Sequence, residues 1–176
     1  TETAEIAIQA AQNGHLVLST LHTNDAPSTL ARLRHMGIAP FNVAASVLLI
    51  TAQRLLRRLC IRCKRTLSPT QFEAFLGQLS PQDQHTFQAT SSPSSSIYQA
   101  VGCTACDQGY KGRIGIYQVM PISDALQALI LDDSNIQALT QQATREGMRT
   151  LRQAGWLKVA QGITSVEEVM ALTAHA

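Results

Sequence analysis

Apolar positions along this chain change their period several times, and each change marks an element. Ala4, Ala7, Ile8 and Ala11 recur at helical spacing, with Thr1 or Thr3 as the cap and Gly14 as the stop. The run His15-Leu16-Val17-Leu18 then drops into Ser19, Thr20, His22, Thr23, Asn24 and Asp25. Leu16 to Ser19 therefore reads as a short strand ending in a polar cluster. Ligands in α/β proteins sit beyond the carboxyl ends of strands, so that cluster is a candidate site. Asn24 or Asp25 can cap a second helix, with Pro27 in its first turn, Leu30, Leu33 and Arg34 along it, and Met36-Gly37 at its end. Pro40 precedes a third, nearly all-apolar helix, predicted from Phe41 to about Gln53, and "QRLLRRLC" reads as a strand or extended segment.

Past Cys60 the pattern weakens. A modest helical spacing covers Phe72 to Leu79, and "QATSSPSSS" is too poor in apolar residues to pack. "GYKGRIGIYQVMPI" has glycines at a turn and then alternates through Ile114, Ile116, Tyr117 and Val119, which predicts a strand or a hairpin. The last third is helical: Ser123 caps "DALQALIL", and "IQALTQQATREG" and "TLRQAGWLKVAQG" each close on a glycine. "TSVEEVMALTAHA" opens with the capping-box spacing Thr164 to Glu167.

Composition adds bounds. The 176 residues suffice for one domain, or one domain with a small appendage. A net charge of +2 is too slight to imply a nucleic-acid partner for the whole chain. No apolar run approaches the roughly 20 residues that cross a bilayer. The longest, Val43 to Ala52, has the length of a buried core helix. No signal peptide is visible. The chain opens inside a helix without an initiator methionine, which predicts a piece of a longer protein.

Four cysteines carry the strongest chemistry. Cys60 and Cys63 form "CIRC", and Cys103 and Cys106 form "CTAC". Each pair fits one tight turn, and two facing turns give four sulfurs for a tetrahedral zinc ion. The alternatives are two disulfides or a redox pair. A reducing compartment disfavours the first, and neither pair opens a helix of a thioredoxin-like unit. The 39 residues between Cys63 and Cys103 exceed what a compact zinc ribbon uses, so that stretch must fold by itself or move. Arg54, Arg57, Arg58, Arg62, Lys64 and Arg65 are either a phosphate or subunit contact, or a solvated rim around the knuckle. No aromatic residues interleave with them as a nucleic-acid stacking platform needs. His22 is a candidate ligand-facing histidine or a structural one. His15 reads as structural, His35, His85 and His175 have no neighbours that argue for a role, and Met148 and Trp156 read as core.

"ETAEIAIQAAQNGHLVLSTLHTNDAPSTLARLRHMGI", "AQRLLRRLC", the paired CxxC, "GYKGRIGIYQVM" and "GITSVEEV" occur in the order found in secretion and assembly ATPases. The chain resembles these hexameric traffic motors of type II secretion and type IV pili everywhere except the insert between the cysteine pairs. "PFNVAASVLLITAQRLLRRLC", "VMPIS" and "LRQAGWLKV" look more like the pilus extension motors (PilB-like) than the secretion enzymes.

The resemblance implies an α/β fold: the C-terminal part of a RecA-like P-loop ATPase core, with an inserted tetracysteine zinc knuckle and a C-terminal helical subdomain. It divides the chain into the core part with its His box at 1–59, the zinc-binding insert and variable loop at 60–106, a core strand or hairpin at 107–122, and the helical subdomain at 123–176. "STLHTN" matches the His box, which implies that His22 lies near the terminal phosphate of ATP, with Thr20 also on the nucleotide. Arg113 would lie near the adenine end. The zinc ligands carry over to Cys60, Cys63, Cys103 and Cys106. Gln118 stands where the family usually has glutamate, and "CIRC" replaces a proline-containing pair.

No G-x-x-x-x-G-K-[ST] occurs, so the chain carries no phosphate-binding P-loop. "TETA" looks like the continuation of a Walker B region, and the fragment alone is expected to be inactive. For the longer protein the resemblance implies ATP and Mg2+, a homohexamer, a platform protein in the bacterial inner membrane, a cytoplasmic location against that membrane, and a role in twitching motility. A PilZ-type adaptor docking on the zinc region or on the helix after Pro27 is the second expectation. A zinc-dependent nucleic-acid binder is the third.

Overall fold

A computed structural model describes residues 2–90 and 96–174. Thr1, residues 91–95, which fall in the stretch read from sequence as a loop, and residues 175–176 lie outside the described residues. The chain divides into two units, Thr1–Ala52 with Gln118–Arg149 and Gln53–Tyr117 with Thr150–Ala176. Two long strands, β1 (Leu49–Leu59) and β4 (Tyr110–Pro121), contain the division points and pair with each other. Backbone bonds from Ile122 N–H to the Leu48 carbonyl and from Cys60 N–H to the Gly109 carbonyl close the two ends, so the pairing is antiparallel. Of the strand or hairpin expected within residues 107–122, the structure forms the single strand, whose partner is β1.

In the first unit, α1 (Glu2–Gln12) already contains Thr3, which is not its cap, and none of its residues is buried. α2 (Ala26–His35) begins as expected: the Asp25 carboxylate accepts from Ser28 N–H, Pro27 sits in the first turn, and Gly37 follows at φ +86. α3 (Pro40–Ser46) is much shorter than the helix predicted to Gln53. From Leu49 onward burial alternates residue by residue, with Ile50 and Ala52 inward. Val47, Ile50 and Thr51 are β-branched, and an apolar run of this length does not distinguish helix from strand by pattern. α6 (Asp124–Leu131), capped by Ser123, and α7 (Ile136–Arg145), capped by Asn135, complete the unit. Leu30, Leu33, Val43, Leu126, Ile130 and Leu139 form its core.

The strand expected over Leu16 to Ser19 is not formed. Residues 15–23 have no regular structure, and Leu16 and Leu18 are 83% and 87% exposed. A strand needs a ladder partner and a surface to cover, and none runs beside this segment among the described residues.

The second unit holds the rest of β1 and β4, a two-residue ladder of β2 (Arg65–Thr66) with β3 (Tyr98–Gln99), and the helices α4 (Pro69–Gln78), α5 (Pro81–Thr90), α8 (Leu151–Ala160) and α9 (Val166–Leu172). α5 takes in Gln88-Ala89-Thr90, read from sequence as loop. Phe87 anchors α5 in a cluster with Phe72, Phe75 and Trp156, and the Trp156 indole donates to the Asp83 carboxylate at 3.0 Å. α9 is capped by Ser165, one residue beyond the expected Thr164. The Thr164 hydroxyl donates instead to the Arg57 carbonyl, beside a bond from Leu59 N–H to the Ile163 carbonyl. Glu168 is 5% exposed and accepts from the Arg57 amide and guanidinium at 2.7–2.9 Å. These hydrogen bonds raise the Arg57 pKa above its ordinary value.

Candidate metal centre and His22 segment

The cysteine site is assembled by strand pairing. The turn Cys60 to Cys63 follows β1, and the turn Cys103 to Cys106 precedes β4, so the antiparallel ribbon places the two side by side. Within the first turn Cys63 N–H and Lys64 N–H both reach the Cys60 carbonyl, and within the second Cys106 N–H reaches that of Cys103. Gly102 at φ +115 and Gly109 at φ +91 flank the second turn. A side chain at Gly109 would meet Ala100 Cβ at 2.7 Å, so this backbone passage admits only glycine. The β2–β3 ladder closes the base of the insert next to both turns, which is why 39 residues fit between the pairs without disturbing them.

All four thiols are free, and their sulfurs lie within 4.8 Å of one another. Cys60–Cys103, Cys63–Cys106 and Cys103–Cys106 are separated by 4.0, 3.7 and 3.6 Å. A disulfide would hold its sulfurs at about 2.05 Å. A zinc ion bonded to four thiolates at about 2.3 Å sets its sulfurs roughly 3.8 Å apart at tetrahedral angles. The spacing fits a metal and not a pair of covalent bridges. Electrostatics prepares the same set: burial and the neighbouring thiols push Cys63 up to about 11. Burial opposes ionisation of Cys106 too, but the Cys103 amide and the surrounding thiols outweigh it and bring Cys106 down to about 7. One thiol of the set is therefore shifted toward the thiolate form that a metal binds.

The basic residues around the knuckle separate into two groups. Arg57 is held by Glu168, and Lys64 donates to the Gly162 carbonyl at 2.7 Å while lying 4.1 Å over the Tyr98 ring. Arg58, Arg62 and Arg65 are exposed.

His22 and Thr20 lie in the irregular segment of the first unit, both exposed, and Arg113 is an exposed residue of β4 within the second unit. The structure gathers the four cysteines into one site. Three tethers organise the end of the His22 segment. Thr23 Oγ1 is 2.9 Å from Thr29 Oγ1, Asp25 caps α2, and the buried Gln118 side-chain oxygen accepts from Ala26 N–H at 2.9 Å. Sequence reasoning noticed Gln118 only as a substitution. Its signal was an amide at an inward position between Ile116 and Met120 of an alternating strand.

Comparison with known proteins gives these features a family. The family described as "Type II/IV secretion system protein" matches residues 1–171. The type IV pilus assembly ATPase PilB of Acinetobacter baylyi is 47% identical over 174 residues, which is 99% of this chain and 29% of that protein. The type II secretion system ATPase E of Vibrio cholerae is 43% identical over 173 residues, 98% of this chain and 32% of that protein. The crystal structure of the pilus retraction motor PilT with bound ADP matches with a TM-score of 0.59 at 21% identity, covering 97% of this chain and 36% of that one, a likeness of α/β fold. The chain thus spans less than a third of the length of these curated relatives. With one family matched from residue 1 to residue 171, this chain belongs to the type II/IV secretion system proteins.

Proposed function

We propose that this chain is the C-terminal portion of a hexameric, RecA-like ATPase whose ATP hydrolysis powers type IV pilus assembly. The observation that carries the reading is the 47% identity to a pilus assembly ATPase over almost the entire chain, against 43% to the type II secretion enzyme. In the whole motor His22 would donate a hydrogen bond where negative charge builds on the transferring phosphoryl group, Thr20 would line the same wall, and Arg113 would meet the adenine end. ATP and Mg2+ are the substrate pair. The chain has no P-loop, so by itself it is inactive. Cys60, Cys63, Cys103 and Cys106 would hold zinc, which supplies structure alone because four protein ligands leave no position open for water or substrate. Among the described residues no helix is long and apolar enough to cross a membrane. That suits a motor that works in the cytoplasm against an inner-membrane platform protein.

The test is the full-length protein carrying His22→Ala. Turnover should fall by about 10²-fold, the scale of losing one donor to a developing oxyanion, with the melting temperature nearly unchanged. Normal turnover would show that His22 has no part in hydrolysis. Complementation of a strain lacking its pilus extension motor, set against one lacking its secretion ATPase, separates the two systems. A docking role for the knuckle is the second reading, favoured by Ile61, which is 84% exposed at the first cysteine turn. Loss of PilZ-type adaptor capture on Ile61→Ser would support it, and unchanged capture would remove it.

A further inference from the structure

We propose that Gln118 is a positioning residue for the His22 segment, acting through the Ala26 amide. The inference rests on the reading that His22 serves the nucleotide. β4 points Ile116, Gln118 and Met120 inward, and Gln118 is 4% exposed. An amide in an apolar row is costly unless it is bonded. Its oxygen takes the N–H of Ala26, a residue that is itself fully buried, 92 positions earlier in the chain.

That N–H is one of the donors left without an intrahelical partner at the start of α2. Asp25 serves a different one, Ser28 N–H, so the two caps divide the first turn between them. Of the side-chain hydrogen bonds made by Thr23, Asp25 and Ala26, those of Thr23 and Asp25 end on Ser28 and Thr29, within α2's own first turn. They move with the helix. The Gln118 bond is the one that leaves it and ties the turn to β4. His22 lies four residues before Ala26, on backbone with no ladder or helix of its own. A displacement of the first turn at Ala26 is therefore passed along the segment toward the imidazole, and phosphoryl-transfer groups lose most of their effect when misplaced by about 1 Å. Apolar packing of Ala26, Pro27, Leu30 and Leu33 holds α2 down, and the Gln118 bond adds the directional contact that sets the position of its first amide.

The full-length protein tests this with two substitutions. Gln118→Met keeps roughly the volume and removes the acceptor, and Gln118→Glu keeps an acceptor at the same reach. With Gln118→Met, amide exchange over residues 16–28 should rise about tenfold, the scale of one lost hydrogen bond to a buried group, and kcat should fall about tenfold with KM within twofold. Gln118→Glu should restore both. Unchanged exchange in Gln118→Met, a Gln118→Glu protein as impaired as Gln118→Met, or exchange that rises equally throughout the molecule would each overturn the proposal. So would a local rise in exchange that leaves kcat intact while His22→Ala lowers it. If His22→Ala also leaves kcat intact, the nucleotide reading of His22 fails, and the proposal falls with it even where exchange responds.

Discussion

The cysteine knuckle and the His22 segment are both short polar runs at the edge of an apolar one, yet they are finished differently. The knuckle needs two four-residue turns and the strand ends that adjoin them, Cys60 after β1 and Gly109 before β4, and all of these lie within one unit. The His22 segment has its far end pinned by Asp25, Thr29 and Gln118, while Leu16 and Leu18 project from its near end with nothing covering them. A metal site can be completed by local turns plus one strand pairing. A wall of a phosphate site, the role proposed for the His22 segment, needs a sheet beneath it and a phosphate cradle in front of it. The difference lies in how far along the chain the required partners are.

Stripping the metal should have the largest effect. A structural zinc contributes on the order of 10 kcal/mol to the fold that holds it. Cys103→Ser, or chelation, should therefore release about one zinc per chain and expose the amides of residues 60–66 and 98–110 to exchange, while α2, α6 and α7 keep theirs. Equal loss in those helices would break the contrast between the two regions. Next comes Trp156→Ala. It empties a fully buried site, removes the donor to Asp83, and should cost about 3–5 kcal/mol by denaturant titration of the chain. A cost below 1 kcal/mol would mean that the insert is not anchored by its aromatic cluster.

A smaller effect reads the thiols alone. Cys106 sits at about 7 and Cys63 at about 11. In a pulse of alkylation straight after chelation, before the turns open, Cys106 should react from around neutral pH and Cys63 only in strong alkali. Thiolates are the ligands, so metal uptake should weaken as pH falls through 7. One common midpoint for both cysteines, followed by mass spectrometry, would contradict the asymmetry. Leu18→Ser should do least, shifting stability of the 176-residue chain by less than about 0.5 kcal/mol, since the side chain is already in water. A larger loss would place this segment against a surface after all.

What could be read from sequence follows the same distances. The caps at Asp25 and Ser123 and the paired cysteine turns were legible because each is settled within a few residues. Leu16 to Ser19 has the composition of a strand, but strand formation depends on a neighbour that no local pattern supplies. Phe41 to Gln53 was read with one period, although Leu49 to Gln53 follows another; the alternation was masked because outward positions such as Leu49 are apolar too. α5 went unseen because most of its residues are polar and its burial hangs on Phe87. Thr164 and Ser165 offer equal caps, and long-range contacts decide between them: the Arg57 carbonyl, 107 positions away, takes the Thr164 hydroxyl, and the Tyr110 hydroxyl lies 2.7 Å from that of Ser165. The Gln118 tether belongs to that same long-range class.

The bonds that Ile163, Thr164 and Glu168 make to Leu59 and Arg57 have one more consequence. With β4 along one side and this C-terminal segment bonded to Arg57 and Leu59 on the other, the last residues of β1 have their outer hydrogen-bonding edge occupied. Trimming the chain after Gly162 would uncover that edge, and the first symptom would be self-association into sheet-rich aggregates at protein concentrations where the intact chain stays dispersed.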